Sequence, residues 1–383
     1  MRFVSTVAAL VSACSVMGGA TPVSLDLGSI GDPLAIFIQG GATQIVSTLF
    51  GGAQAGGKTT GAPVHSSTAG PASTKHPSTA GGSSSPAPAP SSSAGADEHP
   101  DTSSSSSASA SASGGIPDGQ GNSFKTPGGA VRFPWNYGNS DNVVPITPNE
   151  DNGGWAMSPN QKCTPNSWCP YACASGYYSA QWDPSAALYN GKGSMNGGLY
   201  ADAGGKLSKP FPERPFCVQG MMNAFVKNTL GQSVSACQTV YPGNEAMIIP
   251  TVAQPGGTAP LNVVPSSYWL GTSSQFYVNR AGSTADQCVW GTEKQPVGNW
   301  APYIFGGGQG KDGNTYVSVQ YNPLYVSMGY STADVYNVRI ECGQGKCNFP
   351  AGGECKCEKG RCSVDNGCTV TLPQGATANF VLY

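Results

Sequence analysis

Hydrophobic residues are spread unevenly along the chain, and the pattern changes character near residue 130. Downstream of that point, short apolar-rich runs recur: "AMIIPTVA" (246–253), "SQFYVNR" (274–280), "NTYVSVQYN" (314–322), "DVYNVRIEC" (334–342), "CTVTLP" (368–373) and "ANFVLY" (378–383). They are rich in β-branched and aromatic residues, and Gly, Pro and Asn clusters separate them, which is the signature of strands joined by turns. Only "VQGMMNAFVKNTLG" (218–231) suggests a helix. The run of about 250 residues is within single-domain size. The pattern predicts a mostly β domain over 129–383, an antiparallel sandwich or barrel with long loops. "GGGQG" at 306–310 lacks the lysine and the strand–loop–helix setting of a phosphate loop and reads as a loop rim.

Upstream, the pattern is different in kind. Residues 1–20 carry Arg2, an apolar stretch from Val4 to Met17, and small residues at Gly18 and Ala20, the layout of a secretory signal peptide. Residues 21–57 are mildly apolar and interrupted by glycine, enough for a short local element but not for a core. Residues 58–128 are a low-complexity Ser/Thr/Pro/Ala-rich linker with almost no large apolar side chains. Such a stretch cannot offset the entropy of ordering, so it is expected to be a disordered stalk, and its Ser/Thr/Pro runs favour O-glycosylation. No apolar run is long enough for a transmembrane segment.

The sulfur content extends this picture. Of thirteen cysteines, Cys14 lies in the leader, and twelve lie between Cys163 and Cys368. An even number in an exported chain points to disulfides involving Cys163, Cys169, Cys173, Cys217, Cys237, Cys288, Cys342, Cys347, Cys355, Cys357, Cys362 and Cys368. Zinc is the competing reading, but the three histidines, His65, His76 and His99, are far from every one of these cysteines. No metal or other cofactor is expected. The same absence of histidine beyond residue 128 rules out a Ser-His-Asp triad or an HExxH site there, so any chemistry must use carboxylates or tyrosines. Charge is balanced: four of nineteen Lys and Arg and six of twenty-one Asp and Glu precede residue 128, leaving fifteen of each. A balanced domain has no nucleic-acid footprint, and a neutral partner fits better.

At "CTPNSWCPYACASGYYSAQWDPSA" (163–186), "SMNGGLY", "KPFPERPFC", "CQTVYPGNEAMIIPT", "FYVN", "CVWGT" and "GNWAPY" the chain resembles the fungal SUN family of secreted cell-wall proteins. The likeness runs from about Trp155 to Tyr383, in the family's motif order, and "QWDP" with "YPGNEAMIIPT" resembles its second subgroup. Two positions depart from it: Ala201 and Leu270 stand where relatives carry cysteine. The resemblance implies a β-1,3-glucan partner in the cell wall, a role in wall biogenesis, septation or cell separation, and membership among glycoside hydrolases. It assigns no catalytic residues here.

Glycoside cleavage needs two carboxyl groups. Three acids sit beside aromatics in the family-like motifs: Asp183 in "QWDP", Glu245 in "VYPGNE" and Asp286 in "ADQCVW". Asp183 and Glu245 are favoured, although Asp183 before Pro184 also suits a turn and Asp286 a cap. Sugar rings lie against aromatic faces, and the candidates for substrate binding are Trp182, Tyr178, Tyr241, Tyr277 and Trp300. Two functions remain open from these residues: a β-glucan hydrolase or transglycosylase, and a non-catalytic glucan-binding wall protein. A thiol oxidoreductase is excluded, because no CxxC is present.

Overall fold

The computed structural model describes residues 115–117, 124–125, 128–136, 141–186, 195–365 and 367–383, together with the backbone of three short strands before residue 47. The leader expected at 1–20 and nearly all of the stalk expected at 58–128 lie outside the described residues. Within the 21–57 segment, Val23–Ser24, Ala35–Gln39 and Ala42–Val46 pair antiparallel as one small sheet.

From residue 224 onward the chain forms two six-stranded sheets. One runs Met247–Ala253, Val234–Thr239, Ser274–Val278, Tyr303–Gln309, Thr315–Tyr321 and Cys368–Leu372, with every neighbouring pair antiparallel. The other runs Thr258–Pro260, Ala224–Asn228, Ala378–Leu382, Val338–Cys342, Lys356–Glu358 and Arg361–Cys362. Its single parallel pair is Ala224–Asn228 on Ala378–Leu382. Alternation assigns the faces: in Thr315–Tyr321, Val317 and Val319 are buried while Tyr316 and Ser318 turn outward. The inner faces meet where Phe305 stacks on Phe380 with ring centroids 4.4 Å apart, and Val226, Phe276, Val338 and Ile340 fill in around them. Each sheet ends on edge strands, so the architecture is an open sandwich rather than a closed barrel.

All six strand-like runs of the sequence contain strands. Two other expectations fail. The helix suggested over 218–231 is replaced by strands Cys217–Gln219 and Ala224–Asn228. There Ala224, Val226 and Asn228 are buried and Lys227 is exposed, a period of two that pairing with Ala378–Leu382 selects over local helical preference. The glycines of "GGGQG" are not a loop rim either: Gly306, Gly307 and Gly308 lie inside Tyr303–Gln309. A Cβ on Gly307 would stand 2.9 Å from Val263 Cγ2, and one on Gly308 2.8 Å from Ser273 Cβ. Glycine here lets residues 261–273 cross close over the sheet, where Gln309 N donates to Val264 O.

The twelve cysteines from Cys163 to Cys368 are all paired as disulfides. Cys237–Cys288 and Cys173–Cys217 close the long loops, with sequence separations of 51 and 44. Cys342–Cys347, Cys355–Cys368 and Cys357–Cys362 hold the cysteine-rich stretch. The hairpin of that stretch adds two strands to a sheet, and Cys355, Cys357 and Cys368 are buried in the core.

The described residues between 131 and 217 precede the sandwich and form short paired strands around Phe133, Trp135, Trp155, Tyr171 and Phe216. Cys163–Cys169 lies inside this cluster. Ile146, Ala156 and Ala172 from this part pack on Val240, Ala246 and Ile248 at the sandwich edge. The candidate site forms along that junction.

Candidate functional site

Five aromatic side chains converge at the junction. The 261–273 crossing delivers Tyr268 and Trp269, which pack with Tyr178, Trp182 and Tyr241. Tyr178 and Trp182 both meet Tyr268 edge-on, at 5.2 and 5.4 Å between centroids, and Tyr241 meets Trp269 at 4.8 Å. Tyr268 donates its hydroxyl proton to the carbonyl of Tyr241 at 2.5 Å. Burial pushes the Tyr268 and Tyr241 hydroxyls above their ordinary range, so both stay protonated. The pocket that Tyr178, Tyr241 and Tyr268 help to line is about 30 Å³, far below small-ligand size, so a sugar chain would have to lie along the outside of the junction.

The strand-to-turn sequence "AQWDP" alternates what it presents. Gln181 is buried and pins the neighbouring loop: its Nε2 donates to the carbonyls of Phe211 and Arg214, and its Oε1 accepts from Phe211 N. That loop then lays Phe211 edge-on to Trp182 at 5.3 Å and sets the Arg214 guanidinium 5.0 Å from the Trp182 ring centroid. Trp182 is half-buried and flanked on several sides.

The two favoured acids sit on either side of one contact. Glu245 closes the tight turn 240–246, where Glu245 N donates to Val240 O and Val240 N to Ala246 O. Its φ of 56° lies in the left-handed region, which costs a non-glycine residue roughly 1–2 kcal/mol. Burial alone raises its carboxyl to about 7, and no counter-charge offsets it. Asp183 behaves in the opposite way. Burial would raise it, but Asn196 Nδ2, Ser185 Oγ and Ser185 N all donate to its oxygens, and together they hold it below the usual carboxylate range. Asn196 is followed by Gly197, which bridges Trp182, and a Cβ on Gly197 would stand 1.7 Å from the Pro242 carbonyl oxygen. Gly197 is therefore pressed backbone to backbone against the turn that carries Glu245, while Asp183 N donates to the carbonyl of the neighbouring Asn196.

The other three candidates lie elsewhere. Tyr277 is 3 % exposed and packs with Cys237, Met247 and Cys288, leaving no ring face for a ligand. Asp286 is exposed on the short helical turn Ala285–Gln287, which Thr284 and Gln287 cap. Trp300 is half-buried at the end of the turn Gly298–Trp300. Asn279 ties both turns together, donating to Gln287 O and accepting from Gly298 N. Among the described residues, no group of three His, Cys, Asp or Glu side chains is placed to hold a metal.

The candidates drawn from the sequence do not include Gln181, Asn196, Gly197, Arg214, Tyr268 or Trp269. The usable signal was the Gly306–Gly308 run, since glycines within a strand mark a close crossing of another segment.

The family described as Beta-glucosidase (SUN family) matches residues 132–370. A Schizosaccharomyces pombe protein described as probable secreted beta-glucosidase adg3 is 42 % identical over 265 residues, covering 66 % of this chain and 23 % of its own length. Uncharacterized protein YMR244W of Saccharomyces cerevisiae is 38 % identical over 283 residues, covering 67 % of this chain and 76 % of its own. Probable secreted beta-glucosidase UTH1, also of Saccharomyces cerevisiae, is 39 % identical over 245 residues, covering 60 % and 64 %. The match spans less than a quarter of adg3 and somewhat under two thirds of UTH1. The matched region takes in both the aromatic junction and nearly all of the sandwich, and the chain belongs to the SUN family.

Proposed function

We propose that this protein is secreted to the fungal cell wall and cleaves or transfers β-1,3-glucan there, during wall remodelling, septation or cell separation. Glu245 acts as the acid and Asp183 as its ionised partner. The observation that carries the reading is the opposed state of these two carboxyls at one junction. Glu245 keeps its proton near neutrality because it is buried, and Asp183 loses its proton because three donors hold it. Paired groups whose environments push them apart are the pattern of acid and base assignments. In the reaction, Glu245 gives its proton to the glycosidic oxygen as the bond to the anomeric carbon breaks. Asp183 supports the positive charge developing on the ring, and water completes hydrolysis. Tyr178, Trp182 and Tyr241 flank the chain of sugars. The names carried by adg3 and UTH1 agree with this class of reaction. The balanced charge of the domain suits a neutral polymer.

Binding without cleavage is a second reading, and one observation favours it. Both Asp183 oxygens are engaged within their own turn and by Asn196, as in a purely structural Asx turn. The two readings separate when retention on insoluble β-1,3-glucan and release of reducing ends are measured side by side for wild type, Glu245→Gln, Asp183→Asn and Trp182→Ala. Cleavage requires that Glu245→Gln be retained as well as wild type yet release product at least about 100-fold more slowly. If wild type is retained and releases no sugar, the protein binds only.

A further inference from the structure

We infer that the open end of the sandwich carries a second ligand site, a groove for a short stretch of neutral oligosaccharide, separate from the carboxyl pair. The groove measures about 410 Å³, within the range of small-ligand sites. It opens where the rims of the two sheets part: Gln309 ends one strand, Thr315 begins the next, Pro373 and Thr377 bracket the crossing between sheets, and Asn223 precedes Ala224–Asn228.

Three features of the lining define the ligand. None of the residues lining the groove is charged, so a charged ligand would meet no counter-charge. Met221, Met222 and Pro373 supply apolar surface suited to the C–H faces of a sugar ring. Met222 is held in place by a left-handed backbone, φ 49°, with its sulfur 2.9 Å from where a Cβ on Gly176 would stand. The third feature is polar. Asn223 donates its Nδ2 to Thr315 Oγ1 at 2.9 Å, which fixes the amide, while its Oδ1 is buried with no hydrogen-bond partner among the described residues. A buried acceptor left unpaired costs about 1–3 kcal/mol, which a hydroxyl donor reaching it as the rim side chains shift would relieve and a hydrocarbon would not. Gln309, held by Ser266, adds a second amide to the wall. Hydroxyl donors on an uncharged, partly apolar scaffold are what this combination selects, and a sugar chain has all three properties.

The inference does not depend on Glu245 or Asp183. Its test uses the full-length protein labelled with ¹³C in the methionine methyls, titrated with laminarihexaose, cellohexaose and chitohexaose, each in wild type and in Glu245→Gln to prevent loss of probe. Met221 and Met222 report on the groove and Met195 on the junction. At least one hexaose should shift the Met221 and Met222 signals saturably. Asn223→Ala and Gln374→Trp, the latter filling the exposed rim, should each weaken that response at least about fivefold, which is about 1 kcal/mol. Should Asn223→Ala fail to fold, Gln374→Trp alone decides. The inference is overturned if no hexaose moves Met221 or Met222 at about 10 mM, if only Met195 responds, or if Gln374→Trp leaves the response unchanged. Loss of cleavage in Glu245→Gln with an intact groove response would show that the two sites are separate.

Discussion

Glu245→Gln should stabilise the protein, and only where the pH is high enough to charge the wild-type carboxyl. Glu245 has a folded value of about 7 against an ordinary 4.5. Below pH 4.5 the group is protonated in both states and contributes no penalty. Between 4.5 and 7 the unfolded chain releases a proton that the folded chain retains, so stability falls as pH rises, and above 7 the loss is complete. At 1.36 kcal/mol per unit over 2.5 units, the ceiling is about 3 kcal/mol, reduced by whatever solvent the half-buried carboxyl still reaches. Glutamine removes the charge but keeps the φ of 56°, so backbone strain cancels in the comparison. At roughly 2–4 °C per kcal/mol for a domain of this size, the variant should melt up to about 10 °C above wild type at pH 8 and within about 2 °C of it at pH 4. Calorimetric melts of both proteins at the two pH values read this directly. An equal difference at both pH values, or none at pH 8, would refute the reasoning.

Other expectations follow from the same geometry. Glu245→Gly relieves the left-handed strain as well, so it should add about 1 kcal/mol beyond Glu245→Gln at every pH, measured in the same melts. Gly197→Ala places a methyl against the Pro242 carbonyl, and should cost at least about 2 kcal/mol while lowering both glucan retention and product release. Replacing Cys237 and Cys288 together by alanine opens a loop with a sequence separation of 51 and should cost about 4 kcal/mol. The Cys342–Cys347 pair, with a separation of 5, should cost about 2 kcal/mol in the same denaturation assay.

Strands were legible wherever apolar runs were long and bounded by turn residues, as in Thr315–Tyr321 and Ala378–Leu382. They were illegible where tertiary contact decided the outcome. Ala224–Asn228 carries spacing compatible with a helix, and only its parallel partner selects the strand. Tyr303–Gln309 hides behind three glycines whose reason is a segment some forty residues earlier. The site was legible by half. Trp182, Tyr178 and Tyr241 do meet at one junction, with Asp183 following Trp182 in the chain and Glu245 close enough to Tyr241 to act on its hydroxyl. Tyr277, Asp286 and Trp300 do not, since an aromatic or acid beside a cysteine reads alike whether it faces a groove or supports a disulfide. The opposite shifts of the Glu245 and Asp183 carboxyls were invisible in sequence. They come from burial in one case and three local donors in the other.

The most direct test is the titration of Glu245 itself, followed by ¹³C NMR of side-chain carboxyl carbons in the full-length protein, with Glu245→Gln identifying the signal. A midpoint near 7 is the result this account requires. A midpoint near 4.5 would mean that the carboxyl is ionised at neutral pH and has no proton to give to a glycosidic oxygen.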